Sequence, residues 1–468
     1  MIPVFPLTVK KIHILGIGGI GMSGIAEILR TQGYHVQGSD IADGYNVQRL
    51  QASGIPVFVG HDAKHVDADV SVVVCSTDIP LHNVEVLEAK RWRIPVITRA
   101  QMLSELMRSY LTIAISGTHG KTTTTSLVAA VLESIDPTVI NGGIVNAYGN
   151  NVKLGSSRWM VVEADESDAT FVRVPTSVAI VTNIDPEHLN YYKTFENLKE
   201  HFRRFIQQIA FYGFAVVCQD HPVVRELIAD MDDQRIITYG FDAASMARAL
   251  NLKPTLQGIS FDVSYEGRLI PGFFLPMMGE HNVQNALAAI VVGMKMGLSV
   301  PEIQARLKVF QGVKRRFCRV GQFQGMQVID DYAHHPSEIK AVLKAARQAT
   351  SGRVLAVFQP HRYSRFSTLF EDFVMAFEDA DAVVVTPVFS GGEAVIDGLT
   401  PDVFQKAFEA RNPQPIFAAE DFEGVVERLK MIGQPKDLVI FLGAGNSTKW
   451  AHDLPLTSPG EGPCLKPV

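Results

Sequence analysis

The sequence predicts an α/β protein of three domains: a Rossmann-like first domain, a central P-loop ATPase-like domain and a C-terminal Rossmann-like α/β domain. Short β-branched runs alternate with longer helical patterns almost throughout, as βαβ units and parallel sheets require. Two glycine-rich junctions each follow a strand-like run and open a helix-like one. The length of 468 residues suits three domains at roughly 150 residues each.

Taken in order, Lys11–Leu15, His35–Gly38, Val70–Cys75 and Pro95–Ile97 read as buried parallel strands, with helices such as Met22–Thr31 and Asn83–Arg91 between them. The first domain is expected over 1–108. A second series starts at Leu111–Ile115 and continues through Trp159–Glu163, Ser177–Thr182 and Phe214–Val217. Thr255–Gly272 reads as short antiparallel strands and Asn282–Gly297 as a buried helix, giving a central domain over 109–313. The third domain, 314–468, has strands at Gln327–Asp330, Val354–Gln359, Ala382–Thr386 and Leu438–Leu442. The Pro- and Gly-rich tail from about 454 reads as loose.

A hydrophobic share of 47% and a charged share of 20% exclude a mainly disordered chain, a collagen-like repeat and a disulfide-dense miniprotein. A net charge of −6 argues against nonspecific binding to nucleic acid or a membrane surface. Cys75, Cys218, Cys318 and Cys464 form no CxxC pair, which fits a reducing cytosol rather than a zinc site or disulfide framework. The apolar stretch after Lys10 and Lys11 superficially resembles a signal peptide, but it is glycine-rich and carries His13 and Glu27. No window of about 20 apolar residues is present, so no membrane insertion is expected.

The first glycine junction is Gly16-Ile-Gly18-Gly19-Ile-Gly21. Its glycines permit a tight turn, and the helix it opens offers N–H groups to a diphosphate. Asp40, at the end of the next strand, stands where a ribose-binding acid would sit. NAD, FAD and a UDP-sugar are all compatible. The second junction, Ser116-Gly-Thr-His-Gly-Lys-Thr-Thr-Thr, lets the amides around Gly117 and Gly120 wrap a phosphate chain. Lys121 supplies charge to β/γ phosphates and Thr122 a hydroxyl for Mg2+. The loop is shorter than the general GxxxxGK[ST] form, against an ordinary switch GTPase. A dehydrogenase needs only the first loop. An enzyme joining an NTP to a diphosphate-bearing substrate needs both.

Acids follow the strand at 159–162 in Glu163-Ala-Asp165-Glu166-Ser-Asp168, and His188 follows the next strand. Thr122, Glu163 and His188 are therefore candidates to hold one or two Mg2+ ions. Asp185 and Glu187 read as solvated loop acids. In the third domain Asp330-Asp331-Tyr332-Ala-His334-His335-Pro336 again follows a strand. Arg362 and Arg365 in His361-Arg-Tyr-Ser-Arg are three apart, so in a helix they share a face and suit capture of a carboxylate. Gly443-Ala-Gly445-Asn446 ends the last strand as another tight loop.

In order along the chain, GIGGIGMSGIAE, SGTHGKTTTTSLV, EADESDATF, VTNIDPEHLNYY, GEHNVQNALAA, DDYAHHPSEI and FQPHRYSR resemble the motifs of the cytoplasmic ATP-dependent muramyl ligases of peptidoglycan synthesis. The likeness runs from Gly16 to Asn446. It implies UDP-sugar binding by the first domain, with Gly18, Gly19 and Gly21 at the diphosphate and Ser39 and Asp40 near the uridine end. It implies ATP on Gly117, Thr118, His119, Gly120, Lys121, Thr122 and Thr123, with Asn282, Asn285 and Arg316 also serving the nucleotide. Metal positions would be Thr122, Glu163 and His188, for Mg2+. Asp165, Glu166 and Ser167 would face the substrate. His334, His335, Arg362 and Arg365 would join Lys121 in catalysis, with either histidine as base for the incoming amine.

HRYSR and DDYAHHPSEI are closer to the alanine-adding branch than to the branch recycling a murein tripeptide. The substrates implied are thus UDP-N-acetylmuramate, L-alanine and ATP, with the chain a monomer or homodimer. Closure of the third domain over the central one on nucleotide binding is expected. The chain departs from the family with Glu280 before His281. It also lacks an evident counterpart of the lysine that sister ligases carbamylate, since neither Lys193 nor Lys199 can be assigned to that role. The competing functions are an NAD-dependent oxidoreductase, which leaves the Lys121 loop unused, and a nonenzymatic nucleotide-binding regulator, which leaves Glu163, His188 and Arg362 without a common purpose.

Overall fold

The computed structural model describes residues 9–457 except 77, 78, 168 and 256. Asp168 and Cys464 therefore lie outside the described residues. The chain forms two compact units, residues 1–248 with 287–306, and residues 249–286 with 307–468.

The first unit holds two sheets. One contains β1 (Lys11–Leu15), β2 (His35–Asp40), β3 (Val57–Val59), β4 (Val70–Cys75) and β5 (Val96–Thr98) in the order β3-β2-β1-β4-β5. All its pairings are parallel. β1 is flanked by β2 and β4, so the strand order reverses at its C-terminal end, where the first glycine loop leaves for the helix Ile20–Thr31. A crevice at such a reversal is where an open α/β sheet takes its ligand.

The other sheet has ten strands, of which this unit holds β6 (Leu111–Ser116), β7 (Thr138–Val145), β8 (Asn150–Lys153), β9 (Trp159–Glu163), β10 (Val178–Val181), β11 (Phe214–Cys218) and β12 (Ile236–Gly240), in the order β12-β11-β10-β6-β9-β7-β8. β6 is parallel to both β9 and β10, so the second glycine loop also leaves from a reversal point. β7 and β8 were not expected from the sequence. Their Asn-Gly-Gly and Asn-Asn runs obscure the alternation, and β8 completes the sheet edge as an antiparallel partner of β7. One apolar cluster runs through both sheets, from Ile12, Met22 and Leu106 to Ile140, Val152 and Phe171. Gly24 permits this: a Cβ there would stand 2.2 Å from Val152 Cγ2.

In the second unit β13 (Ala247–Thr255) leads to the antiparallel pair β14 (Gly258–Tyr265) and β15 (Arg268–Leu275), as the sequence suggests. The third sheet contains β16 (Cys318–Phe323), β17 (Met326–Asp331), β18 (Val354–Phe358), β19 (Ala382–Val385), β20 (Ile416–Ala418) and β21 (Leu438–Leu442) in the order β16-β17-β21-β18-β19-β20. β16 is antiparallel and the rest parallel. One face packs on an aromatic cluster that includes Phe358, Phe366, Phe373, Phe377 and Phe404. The tail does not loosen at 454. Leu454–Thr457 is a 3-10 turn with Leu454 and Pro455 buried, Leu454 in the cluster of Phe323 and Met326. Its apolar side chains cover the open flank of β16, where only a glycine at 321 leaves room for Pro455.

Candidate active site

Gly120 caps the helix Lys121–Val131 in a left-handed conformation, φ 81°. Gly117 has φ 137°, and a Cβ on it would lie 2.1 Å from Thr182 Oγ1. Both positions require glycine. The loop is stapled from below by the segment after β10. Thr118 N donates to Asn183 O (3.1 Å) and His119 N to Asn183 Oδ1 (2.7 Å). Asp185 N donates to Thr118 Oγ1 at 2.8 Å, and Thr182 Oγ1 donates to His119 O at 2.6 Å. Asp185 is not the solvated acid expected from the sequence. Its carboxylate lies 3.2 Å from His119 Nε2 and 3.4 Å from His221 Nε2. Hydrogen bonds from these two imidazoles, against burial, hold its carboxyl well below the usual range. No spacing in the sequence ties His221 to the loop; the parallel register of β10 and β11 does.

Lys121 Nζ donates to Gly117 O (2.6 Å), Thr118 O (3.1 Å) and Glu166 Oε1 (2.9 Å). Glu166 is buried, and Tyr192 OH donates to its backbone carbonyl. Burial works against the ammonium, but Glu166, Asp165 and Glu163 outweigh it and raise the Lys121 pKa. Glu163 accepts from Gly142 N at 2.7 Å and from the Thr122 side chain. Burial pushes its carboxyl up despite these bonds and nearby Lys121. Thr122 and Glu163 thus meet as expected. His188 Nε2 lies 3.6 Å from Glu166 Oε1 and 3.7 Å from Glu187 Oε2. The buried Glu166 carboxylate attracts the imidazole and raises its pKa. Among the described residues, no group of three His, Cys, Asp or Glu is arranged for a metal ion. Thr122 and Glu163 are hard oxygen donors that suit Mg2+ sharing its shell with phosphates and water. Thr123 is buried in the helix, and Asp165 Oδ1 accepts from Ser167 N at 3.0 Å.

At the first glycine loop, Gly18 N donates to Asp40 Oδ2 at 2.9 Å and Gly19 N to Gly16 O at 3.1 Å. Asp40 thus closes the loop through Oδ2, while its Oδ1 accepts from Ala42 N at 3.2 Å. Ser39 lies beside it at the end of β2. It is buried, and its hydroxyl donates to Glu85 Oε2 at 2.7 Å. Glu85 is fully buried, with His13 Nε2 at 2.7 Å, His65 Nδ1 at 2.8 Å and His61 Nδ1 at 3.5 Å. No motif or spacing signals this network, whose members come from four separate segments.

The second unit gathers another cluster at the C-terminal ends of β17, β18 and β21. Asp331 accepts from Phe317 N (2.7 Å) and Ala333 N (2.8 Å), bracing the turn that carries Arg315 and Arg316. Both guanidinium groups lie on the Tyr332 ring, at 4.6 and 5.3 Å. Arg316 is 3.9 Å from Glu338, which also accepts from His334 N at 3.1 Å. Arg315 donates to Gly443 O at 2.9 Å, which joins the last glycine loop to the cluster.

His334 Nδ1 lies 3.0 Å from Tyr332 O, so Nδ1 carries the proton and Nε2 is the open acceptor. Burial lowers its pKa, assisted by Arg365 and opposed by Glu338. His335 instead caps the helix Pro336–Ala349, its Nδ1 accepting from Ser337 N. Arg362 and Arg365 do not share a helical face. Arg362 has φ 67° and caps the helix Tyr363–Thr368, because its N–H is drawn to Phe389 O at 2.8 Å. The fields of both arginines still reach His361, where burial is the main force lowering the pKa to about 4. Asn282 is buried with Nδ2 donating to Met278 O (2.7 Å), and Asn285 is buried one turn on.

The chain matches the models for the Mur ligase family catalytic domain over residues 11–111, the Mur ligase middle domain over 115–293, and the Mur ligase glutamate ligase domain over 315–445. It is 52% identical over 461 residues to a UDP-N-acetylmuramate–L-alanine ligase of Bradyrhizobium diazoefficiens, covering 96% of this chain and 98% of that one. A ligase of the same name from Rhodospirillum centenum is 52% identical, covering 96% and 95%. Among solved structures, the UDP-N-acetylmuramate–alanine ligase of Thermotoga maritima superposes with a TM-score of 0.79 at 28% identity, over 96% of this chain and 98% of that one. A murein peptide ligase of Psychrobacter arcticus shares the fold, with a TM-score of 0.67 at 24% identity over 95% and 98%. With its glycine loops at two strand-order reversals and such relatives along nearly its whole length, the chain belongs to the Mur ligase family.

Proposed function

We infer that the chain joins L-alanine to the lactyl carboxylate of UDP-N-acetylmuramate, with cleavage of ATP to ADP and phosphate, in peptidoglycan precursor synthesis. The observation that carries the reaction class is Lys121, held at the mouth of the phosphate loop by Gly117, Thr118 and Glu166. The choice of acceptor is supported by the relatives about half identical along 96% of the chain.

A carboxylate is unreactive toward an amine because its leaving group is poor. In this reading the lactyl carboxylate attacks the γ-phosphorus, forming an acyl phosphate and releasing ADP. The amine of L-alanine attacks the acyl carbon, and phosphate leaves. Catalysis is then mainly positioning and charge neutralisation. Amides from Gly117 to Thr123 cradle the phosphates and Lys121 neutralises them. Thr122 and Glu163 would hold Mg2+, which when bound supplies further neutralisation. Asp165, Glu166 and Ser167 border the acceptor side, with His188 steadied by Glu166. Asn282, Asn285 and Arg316 serve the nucleotide, and Arg362 and Arg365 the carboxylate of alanine. His334 is the better base for the amine, since His335 Nδ1 is committed to its helix. Soluble nucleotide substrates place the reaction in the cytoplasm. No described helix is long and apolar enough to cross a membrane.

Phosphate release with Mg-ATP and UDP-N-acetylmuramate, adding L-alanine, glycine or a murein tripeptide in turn, tests this. Release that depends on L-alanine and disappears with EDTA is expected. Dependence on the tripeptide would move the chain to the recycling branch. No release with any acceptor would remove the ligase reading.

A further inference from the structure

β18 and β19 are parallel neighbours in the third sheet, so the segments that follow them leave side by side. After β18 comes His361-Arg362-Tyr-Ser364-Arg365. After β19 comes Phe389-Ser-Gly391-Gly-Glu393, ahead of the helix Pro401–Glu409. A parallel bridge between His361 and Phe389 extends the pairing beyond both strands, and Phe389 N donates to Pro360 O at 2.8 Å. Gly391 has φ 58°, and a Cβ there would meet Arg362 Cγ at 3.2 Å and Nε at 3.4 Å. The second segment therefore lies on the Arg362 side chain. Two residues on, Glu393 Oε2 accepts from Ser364 N at 2.9 Å and Oε1 from Ser364 Oγ at 2.7 Å. Ser364 stands between the two arginines assigned to the carboxylate of alanine.

Glu393 is half-buried, and both its oxygens are tethered. Burial alone would raise its pKa, but the Ser364 hydrogen bonds and the fields of Arg362 and Arg365 lower it, so the carboxylate is charged at neutral pH. The same charges reach His361. Burial lowers that imidazole to about 4, His334, Arg365 and Arg362 push the same way, and Glu393 opposes them. With His361 neutral, Arg362 and Arg365 against Glu393 leave a single net positive charge, which matches one carboxylate. An acidic amino acid would bring a second carboxylate, find no cation to spare and meet Glu393. The transfer steps themselves give Glu393 no task.

We propose that Glu393 is a specificity-determining residue of the amino-acid site: its tethered charge rejects acidic amino acids and keeps Arg362 and Arg365 matched to a single carboxylate. This rests on the reading that these arginines take the carboxylate of alanine. The bland alternative is that Glu393 only pins its loop to the helix Tyr363–Thr368.

L-aspartate and L-asparagine differ in charge but hardly in size, so the ratio of their affinities isolates the charge. Saturation-transfer NMR on the full chain, with UDP-N-acetylmuramate and a nonhydrolysable ATP analogue present, measures how well each displaces L-alanine and needs no turnover. Wild type is expected to prefer asparagine. Glu393→Gln should raise the affinity for aspartate relative to asparagine about 3- to 10-fold, the worth of a unit charge several ångströms away in a partly solvated site. That gain should shrink as salt is added. Glu393→Asp, which keeps the charge, should keep most of the wild-type preference. An unchanged ratio in Glu393→Gln overturns the assignment: loop pinning would move both amino acids together, and pairing with the substrate ammonium would weaken both. A thermal melt guards against misfolding, and if Glu393→Gln melts early, Ser364→Ala, which removes one tether, decides by a smaller shift of the same sign. Arg362→Ala separates the proposal from its premise. If that variant binds L-alanine normally, the reading of the site fails and the Glu393 assignment with it. If it binds L-alanine poorly while the ratio ignores Glu393→Gln, the site stands and the Glu393 assignment alone fails.

Discussion

Two buried carboxylates have opposite fates. Glu166 is paired with Lys121, and removing the lysine would leave its charge buried alone. Lys121→Ala is therefore expected to abolish alanine-dependent phosphate release, by about 10³-fold or more. It should also cost about 3 kcal/mol of stability from the broken buried pair, read by a urea melt. A melt unchanged from wild type would contradict the buried pair. Glu85 is the second case. Burial alone would raise its carboxyl, but hydrogen bonds from His13, Ser39 and His65 hold it at about 2. A depressed acid stabilises the fold above its ordinary pKa near 4.5, and that contribution fades as the pH falls toward 2. The contribution is about 3 kcal/mol at neutral pH. Glu85→Gln should thus be markedly less stable than wild type at pH 7 and nearly equal to it near pH 2. Equal losses at both values would show that packing, not charge, is what Glu85 supplies. Candidate residues adjacent to motifs, such as Lys121 and Thr122, were legible in the sequence. Glu85 was not, because its partners are 72, 46 and 20 residues away.

At the level of elements, the parallel strands were legible because burial on both faces leaves near-continuous runs of Val and Ile. Leu438–Leu442, Val70–Cys75 and Lys11–Leu15 fall where the sequence puts them. Edge elements were not. β7 and β8 are polar and glycine-rich, and the 3-10 turn at 454 is apolar for a partner that the sequence cannot display. The phosphate loop depends on its neighbours as much as on its own motif. Gly117→Ala would drive a Cβ against Thr182 Oγ1 at a φ of 137°. It should weaken binding of an ATP analogue more than tenfold while UDP binding stays within about twofold, since the first glycine loop is a separate element. Calorimetry with each nucleotide distinguishes this from general unfolding, in which both would be lost.

The whole chain divides differently from its motifs. Three sheets follow one another along the sequence, yet the first and seven strands of the second share one apolar cluster and one compact unit. A fragment 1–108 would expose Met22, Ile25, Met102 and Leu106, which pack in that shared cluster. It is expected to lack a cooperative thermal transition and to bind a hydrophobic dye. A cooperative melt with native-like UDP affinity would show that the first domain is autonomous. Sequence alone determined the α/β class, the two phosphate loops, the acids that follow their strands and the family likeness. Each of these is written in contiguous residues, where local periodicity and glycine spacing speak directly. Tertiary structure decided what distant residues do to one another. It turned His188 toward Glu166, made Asp185 a brace between His119 and His221, and set the Nδ1 of His334 on Tyr332 O but that of His335 on its own helix. The physical reason is that a hydrogen bond or ion pair acts over a few ångströms, and only strand order and register bring such residues that close.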